Sequence, residues 1–145
     1  MQVFIGWILI TIGGILYIAQ IISSINFDLA QRLGIQERAE YADPLLQRSE
    51  RYTAYWDLLT LPWLPLAGIL MIFNHQLWPI MSLIGGAIYL DSSGREAVKN
   101  ISFRHEGVKT GTIKQQRIFF TSYIVMFVLA VFVMAYSISH LTSSL

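Results

Sequence analysis

The chain has 145 residues, of which 54% are hydrophobic and 13% charged, with a mean hydropathy of +0.53 and a formal net charge of +1. The charged share is about half that of a soluble domain, so much of the surface cannot face water; this selects the membrane class and a single domain. With no cysteine, disulfides, thiolate metal sites and cysteine nucleophiles are excluded.

The first expected span covers about residues 3–25, without a charge, and is long enough for a helix to cross roughly 30 Å of hydrocarbon. It lacks a basic n-region and a small-residue cleavage site, so a retained span is expected rather than a signal peptide. Gly6, Gly13, Tyr17, Gln20, Ser24 and Asp28 recur at helical spacing and share one face. Small and polar side chains on one stripe let helices approach closely and bond across the interface. The helix is expected to continue through residues 27–33 and to stop at Gly34, a favourable residue for ending a helix.

Asp43-Pro44 reads as an N-cap and first helical position. From Pro44 the pattern runs into the second span, about residues 55–73, giving a helix of about 30 residues, or roughly 45 Å. Tyr52, Tyr55 and Trp56 mark its headgroup border. Pro62 and Pro65 predict a kink, because each removes a backbone hydrogen bond and clashes with the preceding turn. Asp57 is the one carboxylate expected within hydrocarbon, where an ionised group is costly unless paired. Arg95 is its expected partner.

After the Asn74-His75-Gln76 turn comes the third span, about residues 77–94, whose apolar part is the shortest. Ser82, Gly85, Tyr89, Ser92, Glu96 and Asn100 form a second polar stripe. The stretch from Ile84 to Tyr89 resembles that from Ile12 to Tyr17, half a chain earlier, in Ile, the Gly pair and Tyr. Such similarity fits a parallel repeat of two helical hairpins, with Gly13, Tyr17, Gln20, Ser24, Gly85, Tyr89 and Ser92 as a packing surface or a polar pathway. Thr112 to Gln115 fits a capping box ahead of the fourth span, about residues 118–140.

All ten Lys and Arg lie between spans one and two or between spans three and four. The positive-inside rule therefore puts both connections in the cytoplasm and both termini outside. The expected fold is all-α: an up-and-down bundle of four transmembrane helices, N-out/C-out, with helix extensions projecting into the cytoplasm. The cell membrane is the expected location, a bacterial inner membrane by default. The projecting head, with Asp28, Arg32, Arg48, Glu50, Arg51, Arg95, Glu96, Lys99, Lys114 and Arg117, reads as a solvated surface with weak ion pairs, or else as a binding surface for a partner or an anionic headgroup.

No phosphate loop, nucleophile elbow or HExxH motif is present, and the cations are interleaved with acids beside the bilayer, so neither a cofactor nor nucleic acid is expected. His75 and His140 are weak metal candidates, lacking a carboxylate or thiolate nearby. Three function classes follow. The first is an accessory or assembly subunit of a larger membrane complex. The second is a small homo-oligomeric transporter or channel using the two stripes. The third is an enzyme acting on a lipid or quinone through Asp57, Asp91, Arg95 or Glu96. The bilayer, another membrane protein or a second copy are the expected partners.

Overall fold

Several helix starts fall where a side chain satisfies the free backbone groups. In the computed structural model, which describes residues 1–143, α1 spans Gln2–Ile25 and α2 spans Phe27–Leu33. The expected continuous first helix is thus two. Asn26 leaves helical geometry (φ −140°, ψ 85°), and its side chain accepts the Leu29 N–H, capping α2. An Asn side chain competing for local backbone donors is the reason for the break. Gly34 ends α2 in the left-handed region (φ 76°), as expected.

The Asp43 carboxylate accepts the Leu45 N–H at 2.8 Å and opens α3, Pro44–Thr60. The prolines end it: α4, Trp63–Ile72, follows after the expected break. A turn through Asn74 leads to α5, Trp78–His105, and α6 is Ile113–Ser143. The capping box before α6 is present, with the Gln115 N–H donating to Thr112 Oγ1 at 3.3 Å and the Thr112 N–H to Gln115 Oε1 at 3.1 Å.

Three of these rods are long and apolar enough to cross a membrane: Gln2–Ile25, the α3–α4 rod Pro44–Ile72, and Ile113–Ser143. At 28 residues α5 has the length, but its second half carries Asp91, Arg95, Glu96, Lys99 and Arg104. Length and apolarity together therefore identify three spans among the described residues, and α5 does not meet the same measure.

The close pairings are α1 with α3 and α4, α4 with α5, and α5 with α6. Glycines set the approach. A Cβ on Gly68 would lie 2.6 Å from the Gly6 carbonyl oxygen, and one on Gly6 would lie 2.8 Å from that of Gly68, so the α1 and α4 backbones touch. A Cβ on Gly85 would likewise lie 2.8 Å from the Leu64 backbone. Around these contacts Leu9, Leu64, Met71, Trp78, Tyr89 and Val133 form a buried core. Phe4, Trp7, Ile15, Ile18, Phe127, Val128 and Val131 point outward and are exposed.

At the opposite end from the Asn74 turn, the two long connections meet. Ala42 and Thr110 form an isolated antiparallel bridge, with the Asp43 N–H on the Lys109 carbonyl and the Gly111 N–H on the Tyr41 carbonyl, both at 2.9 Å.

Candidate functional site: a carboxylate-lined cavity beneath a proline break

Two prolines remove two donors from the α3–α4 rod. In an α-helix each N–H bonds the carbonyl four residues back, so Pro62 leaves the Leu58 carbonyl free and Pro65 leaves that of Leu61 free. Both are met by tyrosines from neighbouring helices. The Tyr17 hydroxyl of α1 lies 3.3 Å from the Leu58 oxygen. The fully buried Tyr89 hydroxyl of α5 lies 3.4 Å from the Leu61 oxygen and 3.5 Å from that of Gly13. These tyrosines occupy matching positions in the two similar glycine-tyrosine stretches. Gly13 and Gly85 complete the contact, Gly13 against the Pro65 ring and Gly85 against the Leu64 backbone. Here Gly13, Tyr17, Gly85 and Tyr89 of the two stripes pack against the broken rod.

Below this contact, toward the long connections, the packing opens into a cavity of about 130 Å³. One water needs roughly 10–15 Å³ on the same measure, so there is room for several waters or a slender small molecule. The wall from α3 carries Glu50, Thr53 and Asp57, which share a face at helical spacing. From α1 comes Gln20, from α5 Glu96, and from α6 Tyr123 and Met126; Gln36 and Glu37 enter from the connection after α2. α1 and α6 both line the cavity without being one of the close helix pairs among the described residues.

Four carboxylates thus face one space, and a single ammonium answers them from within the helices. Lys99 Nζ lies 2.6 Å from Glu50 Oε1 and 2.5 Å from Glu96 Oε2, with all three side chains largely buried. Burial alone would lower the Lys99 pKa, but Glu50 and Glu96 outweigh it and keep the ammonium charged. Asn100 steadies this group, its amide donating to the Glu96 carbonyl at 3.1 Å and to the Tyr123 oxygen at 3.2 Å.

The other two acids have no such partner. Asp57 is 6% exposed, and its Oδ1 is buried with no hydrogen-bond partner. Glu37 is 4% exposed; burial, reinforced by the Glu50 charge, pushes its pKa up to about 7. It is held there by its backbone, whose carbonyl accepts from Gln31 Nε2 at 2.7 Å, and by its neighbour Gln36, which donates to Ser23 Oγ at 3.2 Å. Gly111, at φ 88°, leaves room for it: a Cβ there would lie 2.9 Å from Glu37 Cγ.

Of the residues singled out from sequence, Asp57 and Gln20 line the cavity, whereas Tyr17, Tyr89, Gly13 and Gly85 form the contact above it. Ser24 is buried with its hydroxyl on the Ile21 carbonyl at 2.9 Å, and Ser92 is buried away from the cavity lining. Asp57 and Arg95 do not form an ion pair; Arg95 lies 3.4 Å from Asp91, one turn earlier and well exposed. His75 accepts the Leu77 N–H at 3.2 Å in the turn, and the His140 ring lies 4.8 Å from Trp78. Among the described residues no three His, Asp or Glu side chains gather to hold a metal ion.

Glu50, Glu96 and Lys99, expected in a solvated head, are instead the centre of the site. Glu37 and Gln36 carried no signal in the sequence. The one available hint was the spacing of Glu50 and Asp57, two turns apart on the same helix face. No family model, no curated protein and no solved structure matches this chain.

Proposed function

We propose that this is a four-span membrane protein, N-out and C-out, that binds a small organic cation in the carboxylate-lined cavity from the cytoplasmic side and works in transport of that cation. The unpaired, buried carboxylate of Asp57, in a chamber where four acids meet one lysine, carries this reading. An uncompensated buried charge is expensive, and a bound cation supplies what the chain does not.

The placement of α5 supports a fourth span. It packs against both α4 and α6, and the tight Asn74 turn obliges it to run back alongside α4. The ten Lys and Arg, all in the two long connections or the helix ends beside them, support a cytoplasmic location for that end. With the cavity facing the cytoplasm, the glycine-tyrosine-proline contact closes the other side, and a transport cycle would have to open it.

The reading is tested by thermal unfolding of the purified protein in lipid nanodiscs with a panel of small ammonium cations, at matched ionic strength. A ligand that binds only the folded state at 100 times its Kd stabilises by about 2.7 kcal/mol. At least one cation is expected to raise the unfolding temperature of the wild type and not of Asp57→Asn. If none stabilises the wild type, cation binding is wrong.

A second reading, an assembly subunit, draws on α6, which pairs closely with α5 alone and leaves Ile124, Phe127, Val128, Val131 and Phe132 outward. Photocrosslinkers at Phe127 and Phe132 distinguish the two readings in native membranes. Covalent capture of one defined polypeptide supports the subunit, and crosslinks confined to lipid oppose it.

A further inference from the structure

The cavity acids are strung out, not converged. No three potential metal ligands cluster among the described residues, so the cavity does not focus its charge on one compact ion. Glu50 and Asp57 are seven residues apart on α3, which puts them about 10 Å apart along the axis. At the Glu50 end sits the Glu50–Lys99–Glu96 group, with its own internal cation. Glu37, from the connection after α2, and Asp57, from α3, thus reach the same cavity from separate elements, with the partly neutralised Glu50–Lys99–Glu96 group in its wall. Asp57 is more than nine-tenths buried, lines the cavity and has an oxygen without a partner. Leu16, Phe119 and Met126 give the same space an apolar flank.

We propose that the cavity takes a linear diammonium or polyammonium cation, with one ammonium at Asp57, another at Glu37, and the methylene chain along Leu16, Phe119 and Met126. This rests on the cation-binding reading and names its ligand class. Two linked ammoniums gain over one because the second binding event is intramolecular, at an effective concentration set by the linker. The gain is lost when the linker is too short to span both acids. A monoammonium ion of equal length satisfies one end and leaves the other buried and unpaired.

The test is calorimetric titration of the full-length protein in nanodiscs, corrected with empty nanodiscs, using 1,8-diaminooctane, octylamine, 1,3-diaminopropane and spermidine. 1,8-Diaminooctane and spermidine are expected to bind about tenfold or more tightly than octylamine or the short diamine, a difference of about 1.4 kcal/mol or more. Asp57→Asn and Glu37→Gln should each reduce 1,8-diaminooctane to the affinity of octylamine. The dependence on chain length in the wild type decides the matter without any variant, should either substitution fail to fold. If octylamine matches 1,8-diaminooctane in the wild type, the linear diammonium ligand is wrong while cation binding stands. If none of the four amines binds the wild type, both are wrong.

Discussion

A carbonyl freed by proline is the smallest unit of design in this molecule, and the chain meets two of them with phenols from two other helices. Removing the Tyr89 hydroxyl leaves the buried Leu61 oxygen unsatisfied, so Tyr89→Phe should destabilise the protein by about 1 kcal/mol. Pro65→Ala restores a backbone N–H four residues after Leu61. In that background Tyr89→Phe should cost less, and a double-mutant cycle in denaturant checks the coupling. Strict additivity would dissolve the pairing. The two prolines and the two tyrosines are plain in the sequence, and the identity of the freed carbonyls follows from counting four residues back. Which donors reach them is a tertiary fact, and no spacing along one helix contains it. Glu37 is a second case at this scale. Its carboxyl has a folded-state pKa of about 7 against an ordinary 4.5, so the folded state binds the extra proton between these values. Stability without ligand should therefore fall as pH rises from about 4.5 to about 7, by up to roughly 3 kcal/mol, and level off above. Glu37→Gln should reduce the slope of that part of the profile, with Glu50, Lys99 and Glu96 still in place around it. An unchanged slope in the variant would assign the titration to another group.

Among the elements, what the sequence made legible was local. The Asp43-Pro44 start, the Thr112–Gln115 box, the Gly34 stop and the proline break all depend on residues within a turn of one another. The break at Asn26 was missed because the apolar pattern runs through it, while the side chain bonds its own backbone. The glycines divide in a way that periodicity could not foresee. Gly6 and Gly68 each sit where a Cβ would press on the other's carbonyl, whereas Gly14 has open space around its Cβ position. Gly68→Ala should therefore destabilise the α1–α4 contact by about 1–3 kcal/mol. Gly14→Ala should be neutral or stabilise by up to about 1 kcal/mol, since alanine is the better helix former. Equal effects from both, measured by unfolding in the same lipid, would deny the close approach.

The whole molecule concentrates its charge at one end, and part of that charge is turned inward. Glu50, Glu96 and Lys99 look from sequence like ordinary charges on a projecting helix. Their burial depends on the connection between α2 and α3 bringing Gln36 and Glu37 over them, held by the Ala42–Thr110 bridge to a segment far along the chain. Long-range closure of this kind leaves no periodic trace, which is why the cavity was missed while its back wall, through Asp57, was found. Gly111 is the sensitive point. Gly111→Val combines a strained φ with a side chain directed at Glu37. It should loosen the closure and raise hydrogen exchange in the 35–43 segment by an order of magnitude or more, about 1.4 kcal/mol of local opening. Exchange unchanged there would mean that Glu37 is held independently of the second connection.

The split between α3 and α4 has a mechanical consequence. Across Leu58 to Pro65 the rod lacks two of its own ties, and the replacements belong to α1 and α5. The bearing of α3 is thus set by its neighbours, much as a jointed arm is set by its stays. Asp57 sits one residue before the carbonyl that Tyr17 holds, so the aim of the cavity's unpaired acid is steered from α1, across a helix boundary. Tyr17→Phe removes that stay without touching the acid itself.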